Sequence, residues 1–165
     1  MTLIAIDGPA GAGKTTLAAK FFAELSVDKS VVVIHMDDLY DGWDNALSDE
    51  LTSTLAEILH AYKTASVFTL PIFNWSTMSF DSTRSFQPSE IVIIEGVGAG
   101  QKIVRDSGAT LYWLDIEPEM GLARVLERDG VEIESQMRQW QITQDAHFKR
   151  DATRMHADHI ITSQS

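Results

Sequence analysis

Ile4-Ala5-Ile6-Asp7-Gly8-Pro9-Ala10-Gly11-Ala12-Gly13-Lys14-Thr15-Thr16 is the stretch from which the rest of the chain can be read. Its first four residues form a short apolar run suited to a buried strand. The run passes directly into Gly8 to Thr15, which matches the phosphate-binding pattern G-x-x-x-x-G-K-[ST]. Glycines at 8, 11 and 13 let the backbone close into a nest of N–H groups aimed at one anion, and a helix starting near Lys14 adds the positive end of its dipole. Phosphate contacts are expected from Gly8, Ala10, Gly11, Ala12 and Gly13 through the backbone, and from Lys14, Thr15 and Thr16 through side chains as well. Lys14 would reach the β- and γ-phosphates, and the Thr15 hydroxyl would ligate the magnesium that neutralises them. Leu17, Phe21 and Leu25, at i, i+4 and i+8, give the following helix an apolar stripe.

Outward from this loop, the chain of 165 residues suits one α/β domain with a sizeable core. Its 13 Lys and Arg against 24 Asp and Glu give a net charge of −11, which argues against a nucleic-acid-coating or membrane-anchoring surface. Any anionic ligand must be held locally, and eight of the 13 cations lie after residue 100, so the second half is expected to supply charge around the phosphates. With no cysteine there is neither disulfide nor thiolate chemistry, so carboxylates, hydroxyls and cations must carry the reaction. No basic leader segment and no apolar run of membrane-spanning length is visible, which leads to the expectation of a cytoplasmic protein. None of the five histidines has a zinc-helix spacing, and each is read as structural.

Val31 to His35 is a β-branched run suited to an inner parallel strand, and it ends in Met36-Asp37-Asp38-Leu39-Tyr40. A carboxylate at the carboxyl end of such a strand stands where α/β sheets bind ligands, which singles out Asp37; Asp38, Asp41 and Asp44 suit turn caps. Ser48 to Ala61 reads as a helix capped by Ser48. Residues 66–80 read as an edge strand or hairpin whose aromatics serve core or pocket. Ile91 to Glu95 is a buried strand ending in one acid, the arrangement that places a carboxylate beside magnesium, and Gly96, Gly98 and Gly100 follow it. Gln101 to Asp106 suits a short helix and Thr110 to Ile116 a further strand. A helix from Pro118 to Arg128 sets Arg124 and Arg128 on a common face, either to clamp a phosphoryl group or to pair with Glu127 or Glu132. Glu132 to Met155 reads as one long polar helix with Met137, Trp140 and Phe148 inside, and Asp158 to Thr162 as the last strand.

In order and spacing these segments, together with Pro71-Ile72-Phe73-Asn74-Trp75 and Ala157 to Ile161, resemble the uridine kinase family of P-loop kinases, whose fold is shared by pantothenate kinases and phosphoribulokinases. The resemblance spans nearly the whole chain. It implies an α/β fold, a three-layer P-loop NTPase with a mostly parallel sheet flanked by helices on both faces, an acceptor-side flap near 66–88 and a short lid near 124–135. It also implies ATP and Mg2+ as cofactors and a small-molecule acceptor as partner, with Asp37 taking the acceptor's proton. Tyr40 matches an acceptor-side aromatic, Glu95 a metal-side acid alongside Thr15 and Asp37, and Arg124 and Arg128 catalytic cations beside Lys14. The family's acceptor pattern, roughly P-x-Y-D-F-x-x-H, is met here by Pro71, Phe73, Asn74, Trp75 and Met78. A phenol, a carboxylate and an imidazole are missing. Phe73, Trp75 and Met78 are therefore expected to face an acceptor other than a pyrimidine nucleoside. A nucleotide-dependent switch, or a relative that binds nucleotide without turnover, is the alternative; no N-K-x-D guanine-reading motif supports the switch.

Overall fold

The computed structural model describes residues 1–162. Five strands form a parallel sheet in the order β2-β5-β1-β6-β7, comprising β1 (Thr2–Asp7), β2 (Val31–His35), β5 (Ile91–Glu95), β6 (Thr110–Asp115) and β7 (His159–Thr162). All four pairings are parallel, with Ile4 beside Ile93 and Thr110, so the phosphate-loop strand lies at the centre. Because successive side chains of a strand point to opposite faces, β1 feeds two cores. Ile4 and Ile6 pack on α1 (Lys14–Leu25) with Ala18, Leu17, Phe21 and Leu25. Leu3 and Ala5 join the opposite core with α2 (Asp49–Thr64) and α5 (Glu134–Asp151). The result is a three-layer α/β sandwich with helices on both faces, as the sequence implies.

Local chemistry sets the element ends. The Ser48 hydroxyl accepts from the Leu51 N–H, a helix N-cap, and α2 stops where Ala65 turns left-handed at φ 48°. The short helix α3 (Lys102–Arg105) and then α4 (Pro118–Asp129) follow, the latter capped by Glu117 and entered through proline at its first turn. The helix expected over 132–155 is broken at both ends. Val131–Ile133 is a 3-10 turn, α5 ends at Asp151 because Ala152 is left-handed at φ 54°, and a second 3-10 turn covers Thr153–His156. Residues 68–86 leave the main sheet as a separate antiparallel hairpin, β3 (Phe68–Asn74) and β4 (Ser79–Phe86), whose pairing shifts between Ile72 and Phe73. Its turn is built by Asn74, whose side-chain oxygen accepts from Ser76 N–H at 2.9 Å. No helix among the described residues is long and apolar enough to cross a membrane.

Candidate active site

The carboxyl ends of β1, β2 and β5 open onto one cavity of about 560 Å³. One end is walled by the loop between β1 and α1, through Ala10, Gly11, Gly13, Lys14, Thr15 and Thr16. Three of the loop's N–H groups are taken up in holding its shape. Gly8 donates to Asp7 at 2.7 Å, Ala10 to the Gln144 side chain at 3.0 Å, and Ala12 to Pro9 O at 3.2 Å. Of these three, Ala10 lines the cavity while Gly8 and Ala12 do not. The N–H groups of the first turn of α1 have no helical acceptor before them, and Lys14, Thr15 and Thr16 of that turn line the cavity end. Gly11 is required as glycine: at φ +84° a Cβ there would lie 2.3 Å from Gly121 O, where α4 packs on the loop. Lys14 is nearly buried, and its ammonium donates to Pro9 O at 2.8 Å. Burial pulls its pKa down, while Asp7, Glu95 and Asp37 act to hold the charge.

A residue the sequence reading passed over fixes the loop to its neighbour. Asp7 is fully buried and accepts from three backbone N–H groups, those of Gly8, Gly98 and Gly100, the last at 2.8 Å. Its carboxylate therefore ties the phosphate loop to the glycine turn that follows β5. Arg105 braces the same turn from behind, donating to Gly100 O and to Asp151, each at 2.6 Å. Desolvation pushes the Asp7 carboxyl up to about 6 against the pull of those N–H groups and of Lys14.

Glu95 ends β5 with one oxygen 3.2 Å from the Thr15 hydroxyl that donates to it and 2.5 Å from His35 Nδ1. His35, read as structural from the sequence, thus braces the Glu95 carboxylate. The hydrogen bond to Glu95 raises its pKa, with burial opposing. Asp37 follows His35 by two residues and opens to the cavity. Burial by the surrounding walls, and then the Glu95 charge, raise its carboxyl above the ordinary range, with Lys14 and Arg128 pulling the other way. Among the described residues no group of three or more His, Cys, Asp or Glu side chains could cage a metal unaided. Thr15, Glu95 and Asp37 are hard oxygen donors, however. Such a sparse set suits magnesium, which keeps waters and substrate phosphates as most of its ligands.

Away from the phosphate loop the wall is aromatic and aliphatic. Trp43, Trp75 and Trp140 line it with Val125, Ile133 and Met137. Trp43 and Trp140 belong to a loop and to α5, and neither was singled out for the site from the sequence; only Trp140's inward position on its helix was legible. The acceptor-side expectations need correction. Tyr40 does touch the cavity, but it is 2% exposed and its hydroxyl is spent on Val97 O at 2.6 Å. Phe73 turns away into the hairpin, packing edge-on against Trp75 and Phe80. Met78 sits half-exposed at the hairpin turn with left-handed backbone, off the cavity wall. Trp75 alone of the hairpin trio lines the cavity, and its indole N–H donates to Asp37 O at 2.9 Å. Arg124 and Arg128 both reach the cavity from α4. Arg124 approaches Gly11 O at 3.4 Å, and Arg128 is held in a two-pronged pair by Asp129 rather than by Glu127 or Glu132.

No protein-family model matches the chain. A uridine kinase from Lactobacillus johnsonii is 25% identical over 179 residues, spanning 96% of this chain and 85% of that protein. A possible uridine kinase from Bacillus stearothermophilus superposes with a TM-score of 0.72 at 22% identity, covering 97% of this chain and 88% of its own. A shikimate kinase from Bacteroides thetaiotaomicron gives 0.56 at 18% identity, covering 98% and 86%. The three-layer architecture is that of the P-loop NTPases.

Proposed function

We propose that this chain, which resembles the uridine kinase-like P-loop kinases in sequence and in fold, is a small-molecule kinase that moves the γ-phosphoryl group of ATP to a hydroxyl. The observation that carries this reading is that one cavity joins a phosphate-binding loop to a strand-end carboxylate, Asp37, with an apolar wall beyond it. In this reading the loop N–H groups and Lys14 hold the β- and γ-phosphates. The acceptor oxygen forms a bond to the γ-phosphorus as the bond from that phosphorus to the β–γ bridging oxygen breaks, ADP leaves with the electron pair, and the acceptor's proton passes to Asp37. Thr15, Glu95 and Asp37 would hold magnesium, which when bound supplies positive charge to the phosphate oxygens. Arg124 and Arg128 add positive charge on the α4 side, Arg128 by exchanging Asp129 for phosphate oxygens.

The hairpin of residues 68–86 acts as the acceptor-side flap and residues 124–135 as a short lid. The reading is supported by the hydrogen bond from Trp75 to the backbone at Asp37 and by the cavity positions of Arg124, Arg128 and Ile133. Uridine and cytidine are poor acceptors in this reading, because the positions that resemble the base-reading residues are Phe73 and Asn74, which make hairpin contacts, and Met78, which is half-exposed off the cavity wall. The test is ADP release from Mg–ATP across a panel of nucleosides, vitamins, sugars and ring alcohols, with Lys14→Ala as control. Acceptor-dependent ADP release that Lys14→Ala abolishes is the expected result. Nucleotide binding with no acceptor-dependent turnover across the panel would favour a nucleotide-binding switch instead, and wild-type turnover by Lys14→Ala would remove the phosphate loop from the mechanism.

A further inference from the structure

The end of the cavity away from the phosphate loop has a chemistry of its own. Its aromatic rings are contiguous: Tyr40 and Trp140 stand 5.3 Å apart between centroids, Trp140 and Trp43 6.3 Å, and Trp43 and Trp75 5.3 Å. Rings this close pack on one another and present a wall, rather than surrounding a void large enough for a cationic head. Two of the polar atoms the wall could offer are already engaged, the Tyr40 hydroxyl with Val97 O and the Trp75 N–H with Asp37 O. Val125, Ile133 and Met137 complete the surface, adding from their side chains only the weakly accepting Met137 sulfur. A polyol bound here would surrender water from several hydroxyls and find few partners for them.

Charge narrows the choice further. The cations of the cavity are committed to its other end or paired: Lys14 to Pro9 O, Arg124 toward Gly11 O, Arg128 to Asp129. The carboxylate of Asp37 remains on the wall, that of Asp129 being paired with Arg128, and an adjoining recess that shares Trp43 and Trp140 carries Asp44 and Glu132. An acceptor bearing a carboxylate or a phosphate would meet like charge there, and could recruit Arg128 only by displacing Asp129 and competing with the nucleotide for it.

We infer that the acceptor is an uncharged alcohol with a flat, weakly polar ring body, its hydroxyl delivered to Asp37 while the ring lies against Trp43 and Trp140. This rests on the kinase reading for its chemistry, and on the aromatic wall for its specificity. Ring against ring gives affinity through area and offset stacking rather than through hydrogen bonds, so selectivity falls on the shape and charge of the acceptor.

Binding can be followed apart from turnover. Three of the chain's four tryptophans line the cavity, whereas Trp113 is buried against Phe148 elsewhere. Intrinsic fluorescence is titrated in the absence of nucleotide with benzyl alcohol and pyridoxine as neutral ring alcohols, and with shikimate and fructose as anionic and polyol comparisons. The same compounds are then assayed for ATP-dependent phosphorylation. Expected are saturable quenching by a ring alcohol at a concentration at least about tenfold below that needed for shikimate or fructose, and a rise of about tenfold or more in its KM in Trp43→Leu, with Trp43→Phe restoring most of the loss and the KM for ATP unmoved. Ring-alcohol binding with no phosphorylation of any compound keeps the wall as a ring-binding surface and overturns the acceptor role together with the kinase reading. Phosphorylation of shikimate or fructose with the ring alcohols inert overturns the inference and leaves the kinase reading standing. Absence of binding by both ring alcohols, or an unchanged KM in Trp43→Leu, overturns the inference.

Discussion

Replacing Asp7 with asparagine separates the cost of a buried charge from the value of the contacts it makes. The carboxylate is fully buried and its ordinary pKa of 3.8 rises to about 6 in the folded chain, because desolvation outweighs three backbone N–H donors and Lys14. A folded-state pKa above the unfolded one means that the folded chain holds the proton more tightly. The contribution of Asp7 to stability is therefore lowest above about pH 6, grows as pH falls through that value, and is complete below 3.8. At about 1.36 kcal/mol for each tenfold change in proton affinity, the full swing is about 3 kcal/mol, of which roughly half falls between about pH 7.5 and about pH 5. The substituted asparagine cannot titrate. It still accepts with its one oxygen but turns an NH2 group toward an N–H donor, a penalty that is the same at every pH. Urea unfolding of both proteins without nucleotide should show wild type gaining on the order of 1 kcal/mol on Asp7→Asn over that interval, whatever the constant offset. A difference that stays flat would refute the picture of Asp7 as a desolvated carboxylate bracing the loop.

Asp37→Asn should leave ATP binding intact and lower acceptor phosphorylation by about a hundred- to ten-thousand-fold. In wild type, turnover should fall with acidification already above the ordinary carboxylate range, because the carboxyl must be ionised to take a proton and its pKa is raised by burial and by Glu95. An unchanged kcat in Asp37→Asn would move the base elsewhere. Gly11→Ala forces a Cβ to within 2.3 Å of Gly121 O from a left-handed backbone at φ +84°. At a cost of at least about 1 kcal/mol, a thermal midpoint about 2–4 °C or more below wild type is expected, and an unaltered midpoint would show that the contact between the loop and α4 is slack.

What the sequence determined by itself lies where function is written in consecutive residues. The strand-loop-helix of residues 4–25, the acids ending Val31–His35 and Ile91–Glu95, and the proline start and arginine spacing of α4 depend on local backbone geometry and on periodicity, so they were legible without the fold. Tertiary structure alone decided which groups meet across long separations. Asp7 reads locally as the polar end of a strand, and only the β1–β5 pairing brings Gly98 and Gly100 onto its carboxylate. His35 reaches Glu95 for the same reason, through the pairing of β2 with β5. The aromatic wall joins Tyr40 and Trp43 of one loop with Trp75 of the hairpin and Trp140 of α5, three separate segments. Their neighbours Phe73 and Met78 point elsewhere because a two-stranded hairpin with a register shift and a left-handed turn sets side-chain direction by packing, not by sequence spacing. Backbone chemistry acts over a few residues and leaves a pattern, whereas a pocket made by packing acts between residues the chain keeps apart, and its composition becomes visible only once the layers are stacked.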